Sequence, residues 1–458
     1  MRDAPEGALM ARAAAGLAAR CAQVLGTTYG ARVVLLVGAG NNGGDALYTG
    51  ARLARRGARV DALLLAPERA HAGGLSALQA AGGNIRSAHP AHLTGADLIV
   101  DGILGLGGRG GLRPDPGRLV EAAAASDAIC VAVDLPSGVD ADTGTVAGTA
   151  FAADLTVTFG CLKPGLLVDP GREHAGVVDV VDIGLRPHLP EPRIYVPDRV
   201  DVAGWLPVPG PLDDKYARGV VGVASGSAEY GGAAVLSVGA AVRGFAGMVR
   251  YTGQAADAIR ARWPEVVVSE GGPGAAGRVQ AWVVGPGLGT DDRADRAVGE
   301  ALAADVPVLV DADGLTILAR HPEWLAGRSA ETLLTPHERE FERLAGEVGE
   351  DRIGAVRRAA ATLGATVLLK GEATVIASPD GQVSVDASGT PWLATAGSGD
   401  VLSGLAGSLL AAGVPALRSA TAATFLHGLA GRLASAGGPI SAVDVLNALP
   451  EAARAVLA

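Results

Sequence analysis

The sequence predicts an α/β protein of two domains, each built on a parallel sheet sandwiched between helices. Three observations lead there. First, short apolar, β-branched runs at 33–37, 62–65, 98–100, 129–133 and 155–159 alternate with helical patterns such as 46–56 and 118–125. That is the rhythm of βαβ units, which lay helices on both faces of a sheet. Second, the alternation lapses where Pro187, Pro190, Pro192, Pro197, Pro207, Pro209 and Pro211 crowd together, since proline interrupts helices and inner strands alike. Third, a new alternating series follows at 220–224, 281–284, 306–310, 333–334, 367–369 and 374–377. The expected layout is a Rossmann-like three-layer α/β/α domain over 1–186, a proline-rich linker over 187–201 and a different α/β domain over 202–458. At roughly 100–200 residues per domain, a chain of 458 residues accommodates that division.

Composition narrows the class. Apolar residues make up 49% and aromatics only 3%, so aliphatic side chains and alanine must fill the cores. A net charge of −10 argues against a broad nucleic-acid footprint, yet leaves room for a small anion held by backbone N–H groups. Cys21, Cys130 and Cys161 are odd in number and form no C-x-x-C, which argues against a disulfide framework or zinc site. They read as small buried hydrophobes in a reducing compartment. No apolar run approaches the roughly 18 residues of a membrane span. The N-terminal segment reads as an amphipathic helix rather than a signal peptide. A cytoplasmic protein with neither membrane nor nucleic-acid partners is expected.

In the first half, the run at 33–37 leads into Gly38-Ala39-Gly40-Asn41-Asn42-Gly43-Gly44-Asp45. Gly38, Gly40 and Gly43 satisfy G-x-G-x-x-G, the phosphate loop of dinucleotide-binding folds. Alone the match is weak. The acid that ends the second strand of such folds is missing, because Asp61 begins that strand and Glu68 lies beyond it. Two asparagines and an aspartate add polar side chains that a plain pyrophosphate cradle does not need. The bland alternative is a turn in which Asp45 caps the next helix. Two more strand ends carry acids before glycine-rich turns: Val100-Asp101-Gly102 leading to the loop 103–111, and Val133-Asp134-Leu135-Pro136-Ser137-Gly138. Ligands gather at the carboxyl ends of strands in open α/β sheets, so the three ends form one candidate constellation.

These three motifs, in this order, resemble the YjeF N-terminal family, the NAD(P)H-hydrate epimerases. The resemblance implies that Asn41, Asn42, Gly43, Gly44 and Asp45 bind the hydrated nicotinamide nucleotide, together with Gly105, Leu106, Gly107, Gly108, Arg109, Gly110 and Gly111. It implies that Asp134 contacts the substrate and is the catalytic acid–base; because Asp134 follows a buried strand and precedes the Pro136-Ser137 turn, its carboxylate is expected to point into the cleft above 41–45. Asn42, Asp101 and Ser137 are similar to the family's potassium ligands, an all-oxygen set suited to a hard cation. Lys163, in Phe159-Gly160-Cys161-Leu162-Lys163-Pro164, matches a further signature without an assigned role. Ala46 stands where the family carries glycine, which a negative φ would tolerate. The chain begins where the family's first helix is already under way, so a short leading segment is expected to be missing.

In the second half, Thr395-Ala396-Gly397-Ser398-Gly399-Asp400 opens a long apolar helix. Gly397 and Gly399 let backbone N–H groups approach an anion at the helix start, and Asp400 is placed as a general base beside it. Strand ends also carry 285–289 (GPGLG), 310–315 (VDADGL), 334–341 (LTPHEREF) and 369–374 (LKGEAT). Singly they are weak: His337 alone reads as a capping histidine and Lys370 as a solvated one. Together they resemble the YjeF C-terminal family, the ADP-dependent NAD(P)H-hydrate dehydratases of ribokinase-like fold. The resemblance implies that Ala233, Gly287, Gly289 and His337 contact the substrate. It implies that Lys370, Gly371, Glu372, Ala373, Thr374, Gly397 and Gly399 hold ADP, with Mg²⁺ as its companion, and that Asp400 is catalytic. ADP would phosphorylate the hydroxyl of the hydrated ring and phosphate would then leave. Ser398 replaces a frequent methionine, and 388–392 fits the family's G-N-x-G approach only loosely. Two competing classes remain: a ribokinase-like kinase of a small molecule such as hydroxymethylpyrimidine, and a non-catalytic first domain serving as an interaction module. A homo-oligomer is expected.

Overall fold

The computed structural model describes residues 7–108 and 110–458. The chain forms two compact units, Met1–Pro192 and Arg193–Ala458. In the first, the order is α1 (Ala8–Leu25), β1 (Arg32–Val37), α2 (Asn41–Ala54), β2 (Arg59–Leu64), α3 (Ala72–Ala80), β3 (Asn84–Ser87), β4 (Leu98–Gly102), α4 (Pro114–Ala124), β5 (Ile129–Val133), β6 (Leu155–Phe159), α5 (Gly171–Ala175) and β7 (Val177–Val181). Among the described residues the sheet has seven strands in the order β3-β2-β1-β4-β5-β6-β7, all parallel. Strand order reverses between β1 and β4, which opens a crevice at their carboxyl ends.

Two-sided burial explains why β1 reads as a continuous apolar run. Val33, Leu35 and Val37 pack with Leu17 of α1, Leu47 of α2 and Leu78 of α3. Val34 and Leu36 turn to the other face, against Leu119 and Val120 of α4. The period of two in a strand thus feeds two cores at once. Truncating Leu35 to alanine would cost about 2–5 kcal/mol. The expected strands are all present. β3 and β7 were not anticipated, and both are edge strands; β3 is mostly exposed and polar, with no apolar run to announce it. Cys21 and Cys130 are buried as expected, but Cys161 is exposed, because it follows β6 in the turn after Gly160 rather than lying in a packed element.

The second unit runs β8 (Ile194–Tyr195), α6 (Arg199–Trp205), β9 (Val220–Ala224), α7 (Gly231–Arg243), β10 (Met248–Thr252), α8 (Ala256–Arg262), β11 (Val267–Ser269), β12 (Ala281–Val284), α9 (Asp292–Ala303), β13 (Val308–Val310), α10 (Asp313–Leu318), β14 (Thr332–Leu334), α11 (Glu338–Ala345), α12 (Arg352–Leu363), β15 (Thr366–Leu369), β16 (Thr374–Ala377), β17 (Val383–Asp386), α13 (Ser398–Ala411), α14 (Ala416–Ser435) and α15 (Ala442–Leu457). Its sheet, among the described residues, has ten strands ordered β11-β10-β9-β12-β13-β14-β15-β16-β17-β8. It is not wholly parallel: β16 is antiparallel to both β15 and β17. The segment expected as a linker supplies β8, which pairs with β17 at the sheet edge, and the start of α6. Pro192 and Pro197 flank β8 rather than interrupt it, and an edge position needs only one row of ladder bonds. Small residues let helices pack closely in this core. A Cβ on Gly404 of α13 would lie 2.0 Å from the Ser237 carbonyl of α7, so the two helices meet backbone to backbone.

Candidate active sites

In the first unit the β1–α2 turn forms at the switch point. Gly38 is required there, since a Cβ would come within 1.9 Å of the Ile103 carbonyl oxygen. Helix α2 begins at Asn41 with Gly40 as its N-cap, so Asp45 is not the cap but lies within the helix, 9% exposed. Its Oδ1 is buried and has no hydrogen-bond partner. Burial, then the nearby charge of Asp134, push its carboxyl up to about 7. Asn42 donates from Nδ2 to the Leu104 carbonyl at 2.8 Å, tying α2 to the loop after β4. Ala46 is helical and buried, and its methyl packs under Gly102.

Asp101, at the end of β4, is fully buried. Its Oδ1 accepts from Ser137 Oγ at 2.7 Å and from Ile103 N at 3.1 Å, and its Oδ2 accepts from Ser137 N at 2.8 Å. Ser137 Oγ in turn accepts from Leu104 N at 2.9 Å. Asn42 and Ser137 therefore converge on Leu104, and Asp101 joins them through Ser137. Burial raises Asp101 to about 6 despite those hydrogen bonds, and no cationic side chain among the described residues pairs with it. The Asp101 carboxylate and the Ser137 hydroxyl are oxygen donors of the kind a hard cation takes, although two backbone N–H groups also donate to Asp101.

Asp134 follows β5 at φ 67°, a left-handed conformation uncommon outside glycine and worth reading as functional strain. Its Oδ1 accepts from Lys163 Nζ at 2.6 Å and from Thr158 Oγ1 and Phe159 N at 3.1 Å each. Lys163 Nζ also donates to Thr158 Oγ1 at 2.8 Å and Phe159 O at 2.9 Å. Thr158 was missed by sequence reasoning, and its alternating strand context carried no signal. In the loop after β4, Gly105 lies against Asn42, Leu106 is 59% exposed, and Gly111 packs on Ala147. Arg109 lies outside the described residues.

In the second unit α13 starts at Ser398 with Gly397 as N-cap at φ 88°, and Asp400 stands in its first turn. Burial, then the charge of Asp311, raise Asp400 to about 7, while Lys370 pulls the other way. Lys370 Nζ is 2.8 Å from Asp311 Oδ1 and 3.8 Å from Glu340 Oε2. Burial opposes its charge, but Asp311, Glu340 and Asp400 outweigh it and leave its pKa above the ordinary value. Asp311 Oδ2 accepts from Ser403 Oγ at 2.6 Å, one turn along α13. A Cβ on Gly399 would lie 3.7 Å from Lys370 Nζ, so the ammonium sits at the helix start where an anion would bind. Lys370 is thus not a solvated lysine.

Ala233 and Gly287, 54 positions apart in the numbering of one chain, meet directly: a Cβ on Gly287 would lie 2.7 Å from that of Ala233. Gly289 N donates to Asp313 Oδ2 at 2.8 Å. His337 is the N-cap of α11 and forms a capping box with Glu340, leaving its ring half exposed. Among residues 370–374, Gly371 and Glu372 are exposed and Ala373 is buried. His427, on α14, was not anticipated. It is buried, held neutral by burial with its pKa down to about 4, and hydrogen-bonds from Nε2 to the Ser398 carbonyl at 3.0 Å, which steadies the turn carrying Gly399 and Asp400.

Two α/β units, one with a buried acid pair at a sheet crevice and one with a glycine-flanked aspartate beside a buried lysine, define a two-centre enzyme of nucleotide chemistry. Comparison with known proteins agrees. Residues 6–165 match the family described as YjeF-related protein N-terminus, and residues 221–450 match NAD(P)H-hydrate dehydratase. The bifunctional NAD(P)H-hydrate repair enzyme of Mycobacterium tuberculosis is 53% identical over 89% of this chain and 85% of its own length. That of Corynebacterium glutamicum is 40% identical over 83% and 78% respectively. The ADP/ATP-dependent NAD(P)H-hydrate dehydratase of Bacillus subtilis, co-crystallised with ATP/Mg²⁺, superposes on 57% of this chain and 97% of its own, with 26% identity and a TM-score of 0.51. The chain belongs to the bifunctional NAD(P)H-hydrate repair enzyme family.

Proposed function

We propose that the chain restores hydrated NADH and NADPH in two steps. The first unit interconverts the R and S epimers, and the second dehydrates the S form at the expense of ADP. The observation that carries this reading is the poised Asp400 at the start of α13, beside Lys370, in a chain that also holds the Asp45–Asp134 site.

In the second unit the substrate hydroxyl attacks the terminal phosphorus of ADP. Asp400 accepts the hydroxyl proton, AMP leaves, and the phosphate ester then eliminates phosphate, with loss of a proton from the neighbouring ring carbon, to regenerate the dihydronicotinamide. Backbone N–H groups at Gly397 and Gly399, with Lys370, take up charge on the transferring group. Ala233, Gly287, Gly289 and His337 line the substrate side, and residues 370–374 the nucleotide side. Magnesium accompanies the nucleotide, by likeness to the Bacillus subtilis enzyme, and the Glu340 carboxylate beside Lys370 is a hard oxygen donor suited to it.

In the first unit Asp134 exchanges the proton, and residues 41–45 and 105–111 hold the ring and its nucleotide. Asn42, Asp101 and Ser137 hold potassium, which supplies a fixed positive charge beside the buried Asp101 carboxylate. Retention of all these polar groups disfavours a non-catalytic first unit. The wider reading is of a cytoplasmic homo-oligomer, which sedimentation of the purified chain checks. The deciding experiment mixes R,S-hydrated NADH, ADP and Mg²⁺ with the protein and follows the near-ultraviolet absorbance of the dihydronicotinamide. Full recovery supports both activities; turnover of hydroxymethylpyrimidine without NADH recovery favours the kinase instead.

A further inference from the structure

A cleft of about 1190 Å³ opens in the first unit, larger than the roughly 300–1,000 Å³ of many small-ligand pockets. It shares Gly38, Ala39, Gly107 and Gly108 with the motifs above, but its lining includes neither Asp45 nor Asp134. Its other walls are the segment after β2, the segment after β3 and the start of α4. It therefore extends from the β1–β4 crevice across the ends of β2 and β3, away from β5 and β6.

The lining is electropositive. Arg69, Arg113 and Arg118 face it among the described residues, against one acid, Asp115, which is ion-paired with Arg118. In dinucleotide-binding sheets of this kind the pyrophosphate lies at the first helix start and the second ribose over the end of β2. There an acid hydrogen-bonds a free 2′-hydroxyl, whereas an arginine accommodates a 2′-phosphate. No acid of the β2 end lines this cleft. Glu68 is not among its walls, and its contact with Arg69 is a loose 3.8 Å pair of two exposed side chains. Arg69 does line it.

We propose that this cleft receives the adenylate half of the hydrated dinucleotide, with Arg69, supported by Arg113, as the contact for a 2′-phosphate, so that the first unit discriminates in favour of hydrated NADPH over hydrated NADH. The inference rests on the epimerase reading. A guanidinium meets a phosphate through paired, charge-assisted hydrogen bonds, and in a cleft open to solvent such a contact is worth about a tenfold preference.

The test uses the full chain without ADP, so that the second unit is silent, and separates the R and S forms chromatographically. Competition by adenosine 2′,5′-bisphosphate and by 5′-AMP is measured on the initial epimerisation rate, after subtracting the spontaneous reaction. The bisphosphate is expected to inhibit about tenfold more tightly than 5′-AMP. Arg69→Ala should remove most of that difference and lower the hydrated NADPH to hydrated NADH ratio of kcat/KM about tenfold; Arg113→Ala should lower it less. Arg59→Ala, which removes the same charge from the opposite end of β2, should leave the ratio in place. Equal inhibition by the two nucleotides, an unchanged ratio in Arg69→Ala, or an equal fall in Arg59→Ala overturns the proposal. In each of those outcomes both substrates still epimerise, so the epimerase reading stands; that reading fails separately if the wild-type chain moves neither epimer.

Discussion

Lys163 Nζ lies 2.6 Å from Asp134 Oδ1, and both side chains are buried. The ammonium has three protons, and its three hydrogen bonds, to Asp134, Thr158 and Phe159, use them all. It holds one oxygen of Asp134 in place.

Removing that partner should be costly. Lys163→Met leaves a buried carboxylate without its counter-charge, and a loss of about 3–5 kcal/mol is expected in the first unit. The double variant Asp134→Asn/Lys163→Met should regain much of that stability, since a neutral pair carries no unpaired charge. Denaturant unfolding of all four members of the cycle measures it; additive losses would show that the two side chains do not act as a pair.

Asp134→Asn keeps the shape of the side chain and removes the exchangeable charge. With mixed R,S substrate, ADP and Mg²⁺, NADH recovery should become biphasic: the S fraction fast, the R fraction only at the spontaneous epimerisation rate. Wild type should run through both fractions in one course. A single phase with full recovery by folded Asp134→Asn rules it out as the acid–base.

Asp400 must be ionised to accept a proton. With its pKa raised to about 7, NADH recovery from pure S substrate should fall as pH drops through that value. Asp400→Asn should lose about 10²–10⁴ of the rate together with that limb. Stability runs the opposite way. A carboxyl raised in the folded state contributes stability below its unfolded pKa of about 4 and loses it as pH rises through the folded one. Asp400→Asn should therefore be more stable than wild type at pH 8 by about 1 kcal/mol or more, and no more stable near pH 4. Equal unfolding midpoints at both pH values would contradict the burial assigned to Asp400.

Exchange of K⁺ for a bulky organic cation should slow epimerisation several-fold at least and leave dehydration of the S form nearly unchanged. The two rates are read separately from pure R and pure S substrate. Equal epimerisation in the two salts would remove Asn42, Asp101 and Ser137 from a cation site.

Much of this was legible in the chain itself, because local order is written in local patterns. β1 announces itself because alternate residues are buried on two faces, and Asp101 and Asp134 are conspicuous because strand ends before glycine-rich turns are where such sheets bind ligands. β3 and β11 escaped because edge strands need little apolar surface, and the inner strands β10 and β17 escaped because polar residues interrupt their short apolar runs. The proline-rich stretch read as a linker for a similar reason: two residues of β8 suffice to close an edge, and no periodicity can show in two residues.

Residue types, motif order and the division into two α/β halves follow from the sequence alone, since each depends on neighbours within a few positions. Which charges meet does not. Lys163 finds Asp134 across 29 residues, Ser403 finds Asp311 across 92, and His427 finds Ser398 across 29. Those pairings exist because the strand order β4-β5-β6 and the stacking of α13 and α14 bring the groups together. The same packing strips water from Asp45 and Asp400 and raises both carboxyls to about 7. Desolvation is a property of everything that surrounds a group, so only the tertiary structure could raise these two helix aspartates so far above the ordinary carboxyl value.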